Sequence, residues 1–414
     1  MTDRGAPLVL FVSPVFPSPS GGGANMRAWM TLVSLASRYS VTLVVFCQNE
    51  TARSSDISSA AVNLCSKVVI KTKIENGSRS LLSLSRELPF LLSKVAQAMF
   101  PRPLESAWVP KSWIREAKKE LEDQQFSSMH VFKLSMALPA RALACTKWSV
   151  LDIDDIESKA AIRYAKLDKG TSGRMLFLLR VLEGIKLRFF ESAVSRFFSL
   201  VTVCSEMDKE EMASRIGEKV RVVPNCIDQP QQRKAFVHGR SKNVLFVGSL
   251  DYGPNQDSFR WICQEIKADV TRICGFDVSF RIVGRRPFAG AVDLAKKSGI
   301  ELFTDVPDLV EHYMWADVVI VPVRSGGGTR IKILEALSFG VPVISTTLGV
   351  EGLLLDDGKE FLVADSSLEF AHGVSRVFQD AGLGRALSEC GAAKVLESYS
   401  FQSSEKLIAE LHQV

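Results

Sequence analysis

No apolar run in this 414-residue chain approaches the ~18 residues that a membrane-spanning helix needs, which excludes an integral membrane protein of the helical kind. The opening MTDRGAPLVLFVSPVFP has neither a long apolar core nor a small-residue cleavage site, so no export signal is expected and the chain is read as cytoplasmic. The eight cysteines (47, 65, 145, 204, 226, 263, 274 and 390) contain no C-x-x-C pair, which argues against a zinc ribbon or a dithiol redox centre. Five of them sit in or beside apolar runs, where cysteine is usually small core filler. The five histidines are equally dispersed, so no metal site is legible and any anionic ligand has to be met by amides and cations.

What is present is a soluble composition, 46% hydrophobic and 23% charged, in a chain long enough for two cores. Charge is divided unevenly. Residues 1–223 hold 31 Lys and Arg against 22 Asp and Glu, a balance of +9, and residues 224–414 hold 20 against 24, or −4. A basic first half suggests that this half meets an anionic membrane surface, as a peripheral protein of the inner face, or an acidic acceptor. Ordinary surface variation would give the same imbalance.

The chain is organised around Asp317 to Gly352, DVVIVPVRSGGGTRIKILEALSFGVPVISTTLGVEG. The apolar run Val318 to Val321 reads as a buried strand, followed by a turn with Gly326, Gly327 and Gly328. Thr329 is placed to cap a helix that carries Ile331, Ile333, Leu334 and Leu337 on one side, and Gly340 is placed to stop it. A glycine turn lets backbone approach a ligand, and the first helical turn favours an anion. At ~100° per residue, Lys332 and Glu335 leave the apolar side roughly 60° apart. One helix thus offers amides, a cation and a carboxylate to one point, the set that a nucleotide sugar needs: donors for a diphosphate and an acceptor for ribose hydroxyls. A Lys and a Glu three residues apart are also the ordinary make-up of a solvated helix surface.

Apolar runs at 8–13, 41–47, 65–71, 129–132, 149–153, 200–204 and 220–223 predict the strands of a first parallel α/β domain. The loop PVFPSPSGGGAN after the first strand is not G-x-G-x-x-G, because its glycines are consecutive and begin too late. Gly21, Gly22 and Gly23 are therefore read as a mobile loop over a cleft, ahead of a helix from about Met26 to Tyr39. Residues 78–125 mix aromatic and basic side chains on short helices, which suits an anionic membrane or simple packing on a sheet. In VLDIDDIES, Asp152, Asp154, Asp155 and Glu157 crowd the carboxyl end of a strand, the end that faces a ligand in such sheets, and Asp155 also stands where it could cap the next helix. A long helix near 173–197 carries Arg174, Arg180, Lys186, Arg188 and Arg196 opposite Leu176, Leu178, Leu179, Leu182 and Leu187. Residues 229–242 are polar and aperiodic, and read as a linker between a domain 1–228 and a second one, 243–385, followed by helices 386–414 that pack back on the first. The second unit repeats the pattern, with strands at 243–248, 279–283, 301–304, 318–321, 341–345 and 361–363.

Together VLFVGS, GGGTRIKILEALSFGVPVIST, VEGL and YSF, with VLDIDDIES, VCSEMDKEEM and VRVVPNCID in the first half, resemble the retaining group 1 glycosyltransferases, the fourth sequence family, in their Gly-Thr-Arg-x-Lys-x-x-Glu-Ala branch. The resemblance covers most of the chain and is weakest over 50–125. It implies the GT-B fold, two doubly wound Rossmann-like α/β domains facing across a cleft. It implies transfer of a sugar from a nucleoside-diphosphate donor to a glycan or lipid-linked acceptor in polysaccharide or glycolipid assembly, with no metal, no cofactor and no nucleic-acid partner. By that resemblance Glu335 binds ribose, and Gly326, Gly327, Gly328, Thr329, Arg330 and Lys332 form the donor-phosphate loop. Lys332, Asp154 and Asp155 are the catalytic candidates. The chain departs from the pattern at five places. The family's earlier glutamate falls at Gly327, its Arg and Lys after the second domain's first strand fall at Ser249 and Asn255, and its first-domain His falls at Asp154. The turn usually written Asn-Gly is Asn225-Cys226. A nucleotide-sugar epimerase of the same fold and a non-catalytic sugar-nucleotide-binding protein would share these residues. An NAD-dependent dehydrogenase is disfavoured by the spacing of both glycine loops.

Overall fold

The structure, a computed structural model, describes residues 6–19, 22–47, 59–72, 108–168, 173–230, 232–236 and 242–413. Gly21, the aromatic and basic stretch 78–107 and part of the expected linker lie outside the described residues. The chain divides into two units, residues 1–224 with 404–414 and residues 225–403.

The first unit is built on seven parallel strands: β1 Leu8–Ser13, β2 Ser40–Cys47, β3 Lys67–Thr72, β4 Ser128–Phe132, β5 Trp148–Asp154, β6 Leu200–Val203 and β7 Val220–Val222. Their order is β3-β2-β1-β4-β5-β6-β7. The central strands are apolar on both faces because helices cover both sides, the usual state of a parallel sheet. Strand β1 pairs with both β2 and β4, so the chain reverses direction across the sheet at β1 and β4. Ligands of open α/β sheets bind beyond the carboxyl ends of the strands at that reversal. Helix α1, Gly23–Ala36, follows β1 and begins at the second glycine of the run, with Gly22 as its extended N-cap. Gly22 and Gly23 therefore open a helix three residues earlier than expected, where a loop over a cleft was predicted. Helices α2, Glu157–Asp168, and α3, Gly173–Ser195, follow β5.

The second unit has six parallel strands: β8 Asn243–Val247, β9 Ser279–Gly284, β10 Glu301–Thr304, β11 Val318–Val321, β12 Val343–Ser345 and β13 Leu362–Val363. The order β10-β9-β8-β11-β12-β13 is that of a dinucleotide-type sheet and reverses between β8 and β11. Helix α4, Gly253–Trp261, follows β8 with Pro254 in its first turn. Helix α5, Ile331–Ser338, follows β11 and buries Ile333, Leu334 and Leu337 as its 3.6-residue period requires.

The stretch expected as a linker is mostly part of this second unit. Lys234 N–H bonds Phe339 O, and Lys234 Nζ pairs with Asp317 at 2.9 Å. Phe236 packs on the core.

Helix α6, Phe401–Glu410, begins in the second unit and ends in the first. Its continuation is fixed there by polar contacts rather than by packing alone. Trp148 Nε1 donates to Leu411 O at 2.7 Å, and Tyr39 Oη donates to Ala409 O at 3.1 Å. The buried His412 ring bonds Ser128 Oγ through Nδ1 at 2.9 Å and His130 Nδ1 through Nε2 at 3.0 Å. Burial pushes the His130 ring down to about 3 and His412 well below its ordinary range, so both are neutral at pH 7. In the unfolded chain a histidine takes its proton near 6.5. The unfolded state therefore binds more protons below that pH, and stability falls as pH drops from about 6.5 toward 3. His412→Gln is expected to flatten this acid loss in denaturant titrations run at several pH values. At neutral pH it should cost about 1–3 kcal/mol, the range for leaving buried partners unsatisfied.

Candidate functional site

In the second unit the predicted residues converge at the β8/β11 reversal. Gly326 and Gly328 hold φ of 101° and 71°, which side-chain-bearing residues rarely adopt. At Gly326 there is also no room: a Cβ would lie 2.9 Å from Tyr252 Oη and 3.3 Å from Pro254 Cγ. Tyr252 and Pro254 belong to the segment after β8, so the glycine loop and the start of α4 are packed together.

Two expectations about this loop are corrected. Thr329 does not cap the helix; its hydroxyl accepts a hydrogen bond from Asn225 Nδ2 at 2.8 Å, and the N-cap is Arg330, which has no side-chain cap bond. Asn225 thus serves as a tether for the loop, and neither it nor Cys226 has the positive φ of an Asn-Gly turn. Arg330, expected to reach a phosphate, folds its guanidinium onto the carbonyls of Gly327 and Gly328. That turns the loop's acceptors inward and leaves a cation beneath it.

Lys332 reaches across from α5 to the end of β8. Its Nζ donates to Asn255 Oδ1 at 2.8 Å and stands 4.5 Å from the centroid of the Phe246 ring. Asn255 is fixed in turn by donating to Ser249 O at 2.9 Å. The approach requires Gly248, where a Cβ would lie 2.7 Å from Lys332 Nζ and 2.8 Å from the Asn255 amide. Burial, and secondarily Arg330, lower the Lys332 ammonium to about 7, with Glu335 opposing. The uncharged Asn255 therefore has a lysine ammonium beside it, delivered from another element.

One turn further along α5, Glu335 accepts a hydrogen bond from Tyr313 Oη at 2.9 Å, and the Tyr313 ring stacks on Phe339 with centroids 4.9 Å apart. Burial raises the Glu335 carboxyl, while the Tyr313 hydroxyl, Lys332 and Arg285 pull it down. Gly327, the position of the missing carboxylate, offers its carbonyl to Arg330.

In the first unit the carboxylates at the end of β5 are not free. Arg27, buried on α1, makes a bidentate pair with Asp152, both bonds 2.8 Å, and also donates to Val223 O at 2.9 Å. Its Nε lies 3.6 Å from Asp154 Oδ1. Lys133, just past β4, bridges Asp154 at 2.9 Å and Asp155 at 2.8 Å. Asp155 is thereby a partner of Lys133. Burial opposes the charge on Lys133, but Asp154 and Asp155 outweigh it and raise its ammonium well above the ordinary range. A β-bulge between Asp152 and Asp154 turns the strand end. Among the described residues four non-glycines have positive φ: Lys133, Asp154, Arg286 and Asp305. They fall as two pairs at the ends of adjacent strands, β4 with β5 and β9 with β10. Backbone strain of this kind clusters at functional sites.

Residues 241–380 match the family model described as glycosyl transferases group 1. A Klebsiella pneumoniae protein, described as an uncharacterized 44.6 kDa protein in the cps region, is 27% identical over 137 residues; the match spans 31% of this chain and 35% of that protein. Among solved structures, the sucrose-phosphate synthase of Thermosynechococcus elongatus superposes with a TM-score of 0.68 at 13% identity, over 98% of each chain. Anabaena HepE in complex with UDP-glucose gives 0.64 at 14% identity, again over 98% of each. At such identities these likenesses show the fold, two parallel-sheet Rossmann-like domains as in GT-B glycosyltransferases.

The Lys332 environment has a measurable signature. The unfolded chain keeps that lysine proton up to about pH 10.5, whereas the folded site releases it near 7, so this group adds stability as pH rises between those values. Lys332→Met should be stabilised relative to the parent at pH 7 and lose that advantage near pH 10, as read from paired denaturant titrations.

Proposed function

We propose that the protein is a retaining glycosyltransferase that moves a sugar, of the hexosyl class, from a nucleoside diphosphate to an acceptor hydroxyl in cell-surface polysaccharide or glycolipid assembly. The observation that carries the reading is the placement of Lys332 and Glu335 one turn apart behind a glycine loop, at the reversal point of the second sheet. The match of that segment to the group 1 model supports it, and the relative from a cps region supports the polysaccharide setting. Retention rests on the resemblance of the GGGTRIKILEA run.

The chemistry is cleavage of the bond between the anomeric carbon and the diphosphate. Positive charge develops on the sugar ring and negative charge on the departing β-phosphate. Lys332, the uncapped first turn of α5 and the loop amides meet that negative charge. Arg330 contributes from behind the loop by occupying its carbonyls. Glu335 has one oxygen engaged by Tyr313, which orients the carboxylate to accept from a pair of ribose hydroxyls. In the first unit Asp154, paired with Lys133 at 2.9 Å, positions the acceptor.

Four variants test these roles. Glu335→Ala should weaken binding of the free nucleoside, whereas Lys332→Ala should matter only when phosphates are present. Lys332→Ala should also lower turnover by ~10²–10³-fold, the range for one lost donor to developing charge. Equal effects of both on nucleoside affinity, measured by calorimetry, would overturn the assignment. Asp154→Asn should keep donor affinity and reduce transfer by at least ~10²-fold; full activity would reduce Asp154 to a structural role. Because Lys332 loses its proton near 7, diphosphate binding at pH 8 should take up a proton. The binding heat will then vary with buffer ionisation enthalpy, and will cease to do so in Lys332→Met.

A further inference from the structure

Helix α3 presents two unlike sides. Its inner side is packed: Leu187 and Val194 are buried, and a Cβ at Gly184 would lie 2.6 Å from Ile162 of α2. The buried Glu191 accepts from Ser158 N–H and Oγ at 2.8 and 2.6 Å and from Arg215 at 2.9 Å. The outer side is apolar. Leu178, Leu182, Ile185 and Phe189 follow the i, i+4, i+7, i+11 spacing and, at ~100° per residue, fall within about 60° of one another. They are 54, 50, 41 and 73% exposed, and Phe197, just past the helix, is 60% exposed.

Basic residues border this row. Lys186 and Arg188 fall about 80° to either side of it by the same ~100° step. Arg196 follows at the carboxyl end of the helix, and the exposed Arg141 lies over the Phe197 ring at 4.1 Å. Glu183 and Glu211 neutralise part of this charge through Lys186 at 2.8 Å and Arg188 at 3.2 Å. Arg141 and Arg196 add to it. An exposed apolar row with cations along both edges is the pattern of a helix lying in a lipid headgroup layer, with aromatics and leucines below and cations at phosphate level. No described helix is long and apolar enough to cross a membrane, so the row would lie on the surface of one.

We propose that the outer face of α3 docks on an anionic phospholipid surface. A second copy of the chain fits the face less well. A stable protein interface buries ~800 Å² and 20–30 residues on each partner, whereas this row is one side chain wide and runs ~17 Å from Leu178 to Phe189 at 1.5 Å per residue. A twofold pairing would also set the basic edges against each other. The proposal does not depend on the donor chemistry of the second unit.

The test is co-sedimentation with vesicles of phosphatidylglycerol and of phosphatidylcholine. The full chain should bind the anionic vesicles, bind the neutral ones at least tenfold more weakly, and lose binding as salt rises past the ionic strength that screens charges within ~8 Å. Leu182→Ser with Phe189→Ser should abolish sedimentation while leaving the thermal melt unchanged, since both side chains are exposed. Arg188→Gln with Arg196→Gln should weaken binding to anionic vesicles alone. Equal binding to both lipids, binding unaffected by the serine pair, or no binding at all would overturn the proposal. So would a dimer, seen by light scattering, that the serine pair dissolves.

Discussion

Everything at the second unit's candidate site depends on how closely two strand ends approach each other. A Cβ at Gly284, the last residue of β9, would lie 2.2 Å from Gly248 O, and one at Gly248 would collide with Lys332 Nζ. The absence of these two side chains lets the turn after β8 lie flat against β9. Lys332 can then cross above it to Asn255. The same narrowness desolvates the ammonium and lowers its proton affinity. The geometry therefore stores a cost, a poorly solvated cation, that an incoming anion relieves. A lysine on the open face of a helix would gain much less from the same anion.

The first unit solves the opposite problem. Three aspartates at the end of β5 would repel each other, and Arg27 and Lys133 from neighbouring elements hold them together. Asp152 is spent on this: it is buried, bidentate to Arg27, and its Oδ1 also receives the Asp154 N–H at 3.1 Å. Asp154 and Asp155 are left less buried and share one lysine. Breaking such a network by removing one partner strands the others as unpaired charges, which is why its members are more costly to change than their surface counterparts.

The parallel strands were legible because both faces are covered, so each reads as an unbroken apolar run, as in Val318–Val321. The GGGTRIKILEA run was legible because glycine, a helical period and charges coincide. Arg27 and Lys133 were not: each is a single basic residue in an ordinary context, and only the strand order brings it to the carboxylates. Thr329 was misassigned as a cap because its hydroxyl has a better-placed partner, Asn225, a hundred residues away in the chain. Leu178 and Leu182 were read only as lying opposite the basic residues of their helix; the side of α3 that packs is marked by Gly184 and Glu191, which sequence periodicity does not single out.

The passage of α6 from one unit to the other has a consequence for biosynthesis. Chains emerge from the ribosome amino end first, and domains generally fold as they appear. Here β4 carries Ser128 and His130, whose partner is His412, so these two side chains wait for that partner until nearly three hundred further residues have been translated. The second unit, continuous from 225 to 403, is complete before then. The first unit to be synthesised is thus the last to be closed.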